Sequence, residues 1–317
     1  MGGAHRAEGA GGALTASPRA AVAVGVFDGL HLGHLEILQR ALARARAHDG
    51  PCVVVSFDPH PDVVLAPNFN PPPPLTPVEE KRERIRGLGV DRFELIPFTR
   101  ELAALTPETF VRDYLVKPYR LHTLIVGSDF ALGRGRSGDI GRLGEIGGQH
   151  GYTVEALPLL EVDGVPVTST RIRALLGSGR VAEGARLLGR RYGLSGRVVR
   201  GEAIGRTLGV PTANLRLHEE KLVPADGIYA VWARLAGDAR RLPGAMSIGV
   251  RPTFGGQVRT LEVHLLDWDG ELVGRDLEVE FAEWLRPELR FESADALTAA
   301  MHADVAEVRR RLGLCAP

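Results

Sequence analysis

Residues Gly25-Val26-Phe27-Asp28-Gly29-Leu30-His31-Leu32-Gly33-His34 join the end of an apolar, strand-like run to the start of a helical pattern. A glycine-rich turn that hands a strand over to a helix is suited to bind an anion. The glycines at 29 and 33 let backbone amides approach a phosphate, and the helix start adds a partial positive charge. His31 and His34, three residues apart on one helical face, are placed to donate to the same phosphate oxygens. Taken alone, two such histidines also fit surface or capping roles, or an incidental metal pair. A second helix start, Val167-Thr168-Ser169-Thr170-Arg171-Ile172-Arg173, follows an apolar run and offers hydroxyls and arginines to an anion. Ordinary N-capping accounts for one hydroxyl and leaves the two arginines unexplained.

Oxygen donors gather again in Gly201-Glu202-Ala203-Ile204-Gly205-Arg206-Thr207-Leu208-Gly209-Val210-Pro211-Thr212-Ala213-Asn214-Leu215. If residues 212 to 214 are extended, Thr212 and Asn214 point to one face. Two neutral oxygen ligands beside nucleotide phosphates suit magnesium, which keeps few protein ligands and prefers oxygen. A glycine-rich β-turn followed by a polar strand is the plainer reading of the same residues. Further on, Thr260, Glu262 and His264 alternate with Leu261, Val263 and Leu265, so Glu262 lies on the polar face of a strand. By pattern alone that face is more commonly a solvated one.

The elements that must position these groups fall into two sets. From Ala20 to about Leu188, short apolar runs alternate with helical patterns, as a doubly wound parallel sheet requires. Strands are expected at Ala21 to Val26, Cys52 to Phe57, Phe93 to Phe98, Leu121 to Val126 and Thr153 to Leu157. Leu35, Leu38, Leu42 and Ala45 recur at helical spacing between the first two. Thr76-Pro77-Val78-Glu79 reads as a capping threonine, a first-turn proline and a glutamate that bonds back, with Gly87 and Gly89 as the stop; Thr106-Pro107-Glu108 opens a helix in the same way. The run Pro71 to Pro74 reads as a stiff loop over the sheet edge. After Arg190 come glycine-punctuated strands at Leu194 to Arg200, Ile228 to Leu235, Ala245 to Ile248, Thr260 to Leu266 and Leu277 to Leu285, which imply an antiparallel barrel. A final helix, capped at Ser293, carries Leu297, Met301, Val305, Val308 and Leu312 inward and stops at Gly313. The boundary lies at Gly189 to Gly193, giving a disordered tail over 1–19, an α/β domain over 20–188 and a β domain over 189–314.

The bulk of the chain restricts the partners. Its 317 residues hold 39 basic and 39 acidic side chains, which cancel, so no global field points to nucleic acid or a membrane surface. Only 6% of residues are aromatic, and no basic-aromatic stripe of the kind that oligonucleotide-binding barrels use is evident. The only lysines are Lys81, Lys117 and Lys221, and none follows a glycine, so a Gly-Lys-Ser/Thr phosphate loop is absent; backbone amides and arginines must hold any ATP phosphates. Cys52 and Cys315 are far apart, with neither zinc nor disulfide spacing, which fits a reducing cytoplasm.

The string G-x-F-D-G-x-H-x-G-H, the turn Phe57-Asp58-Pro59-His60-Pro61, the segment Gly127-Ser128-Asp129-Phe130 with its Gly133 to Gly138 loop, and Thr168-Ser169-Thr170-x-x-Arg173 resemble, in this order, the adenylyltransferase half of the bifunctional bacterial riboflavin kinase/FMN adenylyltransferase family. Four further segments are similar to its kinase half: G-R-x-L-G-x-P-T-A-N-L, Pro224-Ala225-Asp226-Gly227-Ile228-Tyr229-Ala230, Ile248-Gly249-Val250-Arg251-Pro252-Thr253-Phe254 and Leu261-Glu262-Val263-His264. The resemblance spans roughly residues 20 to 313. It implies a Rossmann-like nucleotidyltransferase sheet followed by a riboflavin-kinase β-barrel with a terminal helix. It also implies that ATP converts riboflavin to FMN and then FMN to FAD, with Mg2+ as cofactor.

By the same resemblance, Gly25, Phe27, Asp28, Gly29, His31, His34, Ser169, Thr170 and Arg173 hold ATP for adenylylation. Phe57, Pro59, His60, Pro61, Asp129 and Phe130 line the flavin side. Gly205, Arg206, Gly209, Thr212 and Asn214 hold ATP for the kinase, Thr212 and Asn214 at the metal, and Glu262 is the base. The family usually carries a second aromatic where Leu132 stands and Ser where Thr168 stands. The implied partners are riboflavin, FMN and ATP, without nucleic acid or membrane, for a monomer or weak homo-oligomer. Two rival readings are a different adenylyl or cytidylyl transferase and a flavin-responsive or nucleic-acid-binding module; the C-terminal motifs oppose the first, and charge and aromatic content the second.

Overall fold

The computed structural model describes residues 18–66, 71–201, 209–253 and 256–315. The expected tail over 1–19 therefore lies, up to residue 17, outside the described residues.

The first half is built on five parallel strands, β1 (Ala21–Val24), β2 (Cys52–Asp58), β3 (Arg92–Pro97), β4 (Thr123–Gly127) and β5 (Thr153–Leu157), in the order β3-β2-β1-β4-β5. All four residues of β1 are buried, as a central strand covered on both faces requires. One face packs against α1 (Leu32–Ala47) through Leu38, Ala41, Leu42 and Ala45, joined by Ile85 of α3 (Val78–Gly87). The α1 stripe follows from its 3.6-residue spacing, and Arg44 and Arg46 in its last turn suit the negative end of the helix. The other face carries Phe110, Val111, Leu115, Leu143 and Ile146, supplied by α5 (Pro107–Phe110), the turn that continues it and α7 (Ile140–His150). The short helices α2 (Pro61–Leu65), α4 (Arg100–Ala103) and α6 (Lys117–Tyr119) fill the crossovers. A two-stranded hairpin, β6 (Glu161–Val162) and β7 (Val165–Pro166), precedes α8 (Ser169–Gly177) and α9 (Val181–Leu188).

The second half is a closed antiparallel barrel of β8 (Gly193–Val199), β9 (Ala213–Leu217), β10 (Gly227–Leu235), β11 (Leu242–Thr253), β12 (Gly256–Leu265) and β13 (Asp276–Arg286), in the order β10-β11-β12-β9-β8-β13. Closure removes the exposed edges that an open sheet would present. The final helix, α10 (Ala294–Arg311), is capped at Ser293 as expected, and Val308, Val305 and Leu312 pack against the barrel wall at Ala230 and Leu266. Of the expected inward stripe Val308 is buried, and Leu297, Met301, Val305 and Leu312 are partly covered.

One local expectation needs correction, and two others gain detail. Thr76 does not cap α3: the helix starts after Pro77 without a side-chain cap bond, and the Thr76 hydroxyl is buried without a partner. Its amide instead donates to Asp28, a long-range contact that displaces the local box. The proline run leads into the junction between the two halves, where the Leu222 amide donates to the Pro74 carbonyl at 2.9 Å. Leu75 is fully buried there among barrel residues. The barrel strand Ala213–Leu217, foreseen only as a conditional extended stretch, pairs with both β8 and β12. Among the described residues no helix is long and apolar enough to cross a membrane.

Candidate active sites

The first site forms where β1 gives way to α1, at the carboxyl end of the central strand and beside the crossover to β4. In an open α/β sheet the loops diverge at that point and leave a crevice. The turn is tightly wound: Phe27, Gly29 and Leu30 have φ of 53°, 85° and 43°. Left-handed backbone is unfavourable for the phenylalanine and the leucine, and their complete burial holds it in place.

Every carbonyl from Val26 to His31 is engaged within the protein. Val26 accepts from the Lys81 ammonium at 2.8 Å and the Ser56 hydroxyl at 3.0 Å. Phe27 accepts from the Leu30 amide, Asp28 from the Ser169 hydroxyl at 2.8 Å, Gly29 and Leu30 from Arg190, and His31 from the Leu35 amide. The amides of Leu32 and Gly33, in the first turn of α1, have no acceptor among the described residues, as is usual for a helix start. A loop with its acceptors used up and its donors open attracts anions.

His31 is not on the face of α1 but at its N-cap, where its Nδ1 accepts from the His34 amide at 3.3 Å. That bond fixes the neutral tautomer with the proton on Nε2, which is then a donor. The two imidazoles stack with centroids 3.6 Å apart and planes 17° apart. Burial lowers the His31 pKa to about 4, with Asp28 opposing the shift and Arg190 adding to it. Burial also holds His34 well below the usual histidine range, aided by the His31 and Lys81 charges. Both rings are therefore neutral donors near pH 7. The Nδ1 of His34 is buried with no hydrogen-bond partner.

Asp28 is buried, and its carboxylate is occupied by Arg173 and by the amides of Leu75 and Thr76 at 3.2 and 3.1 Å. Thr168 caps α8 by accepting from the Arg171 amide; Ser169 and Arg173 face the Asp28 turn, whereas Thr170 and Arg171 are exposed. Gly25, Phe27, Asp28, Gly29, His31, His34, Ser169 and Arg173 are thus brought together around one helix start. Phe57 lies beside Phe98 and Phe110, at centroid distances of 5.6 and 6.2 Å, with Phe130 and buried Leu132 on the same apolar cluster. His60 caps α2, with Pro61 in its first turn and Pro59 preceding, and Asp129 is exposed at the end of β4.

The sequence reading missed two cations at this site. Lys81 is 5% exposed, and burial lowers its pKa against the raising effect of Asp28 and Asp58. Its signal was a lysine at the position of α3 that, four residues before Ile85, belongs on the buried stripe. Arg190 lies just past α9 and carried no comparable signal.

The second site lies on the barrel. The Thr212 hydroxyl donates to Glu262 Oε2 at 3.0 Å, and Asn214 pairs in register with Glu262 across β9 and β12. These three are half-buried, while Ala213, Leu215, Leu261 and Val263 between them are buried, as strand alternation requires. Asn214 lies so close to Gly201 that a side chain there would overlap its amide group. His264 meets the Pro211 carbonyl at 2.8 Å. Gly209 is exposed with φ of 80°; Gly205, Arg206 and Phe254 lie outside the described residues.

Comparison with known proteins places both sites in context. Residues 14–171 match the FAD synthetase family model, and residues 188–312 the riboflavin kinase model. The chain is 38% identical over 294 residues to a bifunctional riboflavin kinase/FMN adenylyltransferase of Escherichia coli K12, covering 93% of each chain. It is 40% identical over 287 residues to the protein of that name from Pseudomonas fluorescens, covering 90% of this chain and 91% of the relative. A crystal structure from Streptococcus pneumoniae, described as a macrolide-efflux protein, superposes with a TM-score of 0.84 at 30% identity over 93% of this chain and 95% of that one.

Proposed function

The chain belongs to the family of bifunctional riboflavin kinase/FMN adenylyltransferases, and from that premise we propose which of its groups carry each reaction. It phosphorylates riboflavin with ATP to give FMN, and it adenylylates FMN with ATP to give FAD and pyrophosphate. We divide these activities at residues 188 and 189, between the end of α9 and the start of β8.

Adenylyl transfer belongs to the start of α1. The observation that carries this assignment is the loop in which the carbonyls from Val26 to His31 are all bound internally while the amides of Leu32 and Gly33 have no acceptor among the described residues. Those amides, the neutral imidazoles of His31 and His34, and Ser169, Thr170 and Arg173 hold the ATP phosphates. Gly25, Phe27, Asp28 and Gly29 shape the turn. Phe57, Pro59, His60, Pro61, Asp129 and Phe130 line the flavin side, with Leu132 filling the adjacent apolar floor. FMN phosphate is mostly dianionic near pH 7. Its oxygen attacks the α-phosphorus as the bond to the pyrophosphate oxygen breaks, and no protein base is needed; the chain's task is alignment and charge neutralisation.

Phosphorylation of riboflavin belongs to the barrel. A ribityl hydroxyl must lose its proton as it attacks the γ-phosphorus and the bond to the ADP oxygen breaks, and Glu262 takes that proton. Thr212 holds the Glu262 carboxylate in place through the 3.0 Å bond. The hydroxyl of Thr212 and the amide oxygen of Asn214 are hard oxygen donors beside a carboxylate, a set that fits Mg2+ with its remaining positions left to phosphate and water. The ion, when bound, draws charge from the ATP phosphates and orients the γ-phosphoryl group. Gly205, Arg206 and Gly209 join Thr212 and Asn214 in holding this ATP. A cytoplasmic monomer or weak homo-oligomer completes the proposal; the free thiols of Cys52 and Cys315 support the reducing compartment alone.

Incubation of the pure protein with riboflavin, ATP and Mg2+, followed by separation of the flavins, yields FMN and then FAD. Replacing both His31 and His34 with alanine abolishes the second product and leaves the first. Undiminished FAD formation in that variant excludes the assignment of the α1 start.

A further inference from the structure

The segment that leaves the α/β domain returns a side chain to its nucleotide loop. Arg190 follows Gly189, the C-cap of α9, and precedes β8 of the barrel. Its Nη2 donates to the Gly29 carbonyl at 2.8 Å and its Nη1 to the Leu30 carbonyl at 3.1 Å. Its Nε is buried without a partner, so the two carbonyls are what the guanidinium receives in exchange for its hydration. Burial lowers its pKa to about 10, which still leaves it charged near pH 7.

The consequence follows from the planarity of the peptide group. The Leu30 carbonyl and the His31 amide belong to one plane and point in opposite directions. Drawing the Leu30 oxygen onto Arg190 therefore turns the His31 N–H away from Arg190 and sets the N-cap from which α1 begins. The bond acts on a residue in left-handed backbone, where an unrestrained leucine would relax to another conformation. A second contact reinforces it: Gly189 packs so tightly on Leu32, the first residue of α1, that a side chain at 189 would overlap it. The segment is itself anchored, since the Tyr192 hydroxyl donates to the Leu222 carbonyl at 2.6 Å and Lys221 pairs with Glu80 of α3.

We propose that Arg190 is a positioning residue for adenylyl transfer, acting through the Gly29 and Leu30 carbonyls on the phosphate-facing start of α1. The segment joining the two domains is thereby part of the adenylyltransferase site. This rests on the reading that the α1 start holds the ATP phosphates.

The test uses the full chain with Arg190→Met, Arg190→Lys and, in parallel, His31→Ala. Steady-state rates of FMN adenylylation are measured with ATP and FMN varied in turn, alongside riboflavin phosphorylation in the same preparations. Loss of two charge-assisted hydrogen bonds is expected to lower kcat/KM for ATP in Arg190→Met by about tenfold or more. The KM for FMN and the kinase rate stay within about twofold of the parent, because a selective loss changes one transition state only. Arg190→Lys, which keeps the charge but not the fork, recovers part of the loss. An unchanged kcat/KM for ATP in Arg190→Met overturns the proposal, as does a parallel fall in the kinase rate or a parallel rise in the KM for FMN, which would mark a general structural role. If His31→Ala is also without effect, the reading of the α1 start fails; if His31→Ala is impaired and Arg190→Met is not, only the role of Arg190 fails.

Discussion

Arg173, on α8, is ion-paired with Asp28, in the turn before α1, and the same carboxylate accepts the amides of Leu75 and Thr76. One buried acid thus ties together three segments that are distant in sequence: the turn before α1, the start of α8 and the Leu75–Thr76 strap, whose Leu75 packs among barrel residues. Asp28→Ala leaves an arginine and two amides without an acceptor. Breaking a buried, hydrogen-bonded pair from one side costs about 3 kcal/mol. Urea denaturation is expected to show that loss in full, with FAD formation abolished. A variant as stable as the parent would mean that the strap is held by its apolar contacts alone.

His31 makes the free protein sensitive to acid. Its folded pKa lies at about 4, whereas an exposed histidine titrates near 6.5. Between those values the unfolded chain binds a proton that the folded chain refuses, so stability rises with pH across that window and falls on acidification through it. The His31 contribution to this loss is about 2 kcal/mol between pH 7 and pH 5. His31→Asn keeps an acceptor for the His34 amide without a titrating ring, so its stability should change correspondingly less over the same interval. Equal losses in parent and variant, by urea denaturation at the two pH values, would assign the acid sensitivity elsewhere.

The elements with a clean period were legible in the chain itself. The α1 stripe of Leu38, Leu42 and Ala45, the all-apolar β1 and the alternation around Glu262 each follow from local geometry, and so do the helix and strands that carry the two sites. What escaped depends on long-range partners. Thr76 has the local signature of a cap, yet its amide is claimed by an acid 48 residues earlier. Arg190 is one arginine among many until the fold turns it back onto Gly29 and Leu30. Lys81 was visible as a charge on an apolar stripe, but its function as a brace for the Val26 carbonyl requires the packing of α3 against β1 and β2. Similarly, the stacking of His31 on His34 arises because His31 is a cap and not a member of the helix face.

Gly201 has a role that its exposure conceals. A Cβ at this position would fall on the Asn214 side-chain amide, which must then swing away from the Glu262 and Thr212 face. If Asn214 holds Mg-ATP as proposed, Gly201→Ala is expected to reduce the kinase rate by about tenfold or more, because the group is moved out of position. Stability should change by no more than about 0.5 kcal/mol, because the residue is exposed. FAD formation from supplied FMN, measured in the same preparation, should be unaffected. A kinase rate equal to that of the parent would show that Asn214 accommodates the methyl group without leaving the site.

Glu262→Gln separates the two chemistries most sharply. Glutamine preserves the size of the side chain and an oxygen that can accept the Thr212 hydrogen bond, so the β9–β12 register and the barrel are expected to remain intact. What it removes is the capacity to take a proton. Loss of a general base lowers the rate by about 10²- to 10⁴-fold, and FMN production from riboflavin should fall within that range. Adenylylation of supplied FMN needs no such base, because the attacking phosphate oxygen already carries the charge. It should continue at the parental rate. If both activities fell together, the carboxylate would be serving the fold and not the proton transfer; if neither fell, the ribityl hydroxyl would have to lose its proton to another group on the Thr212 face.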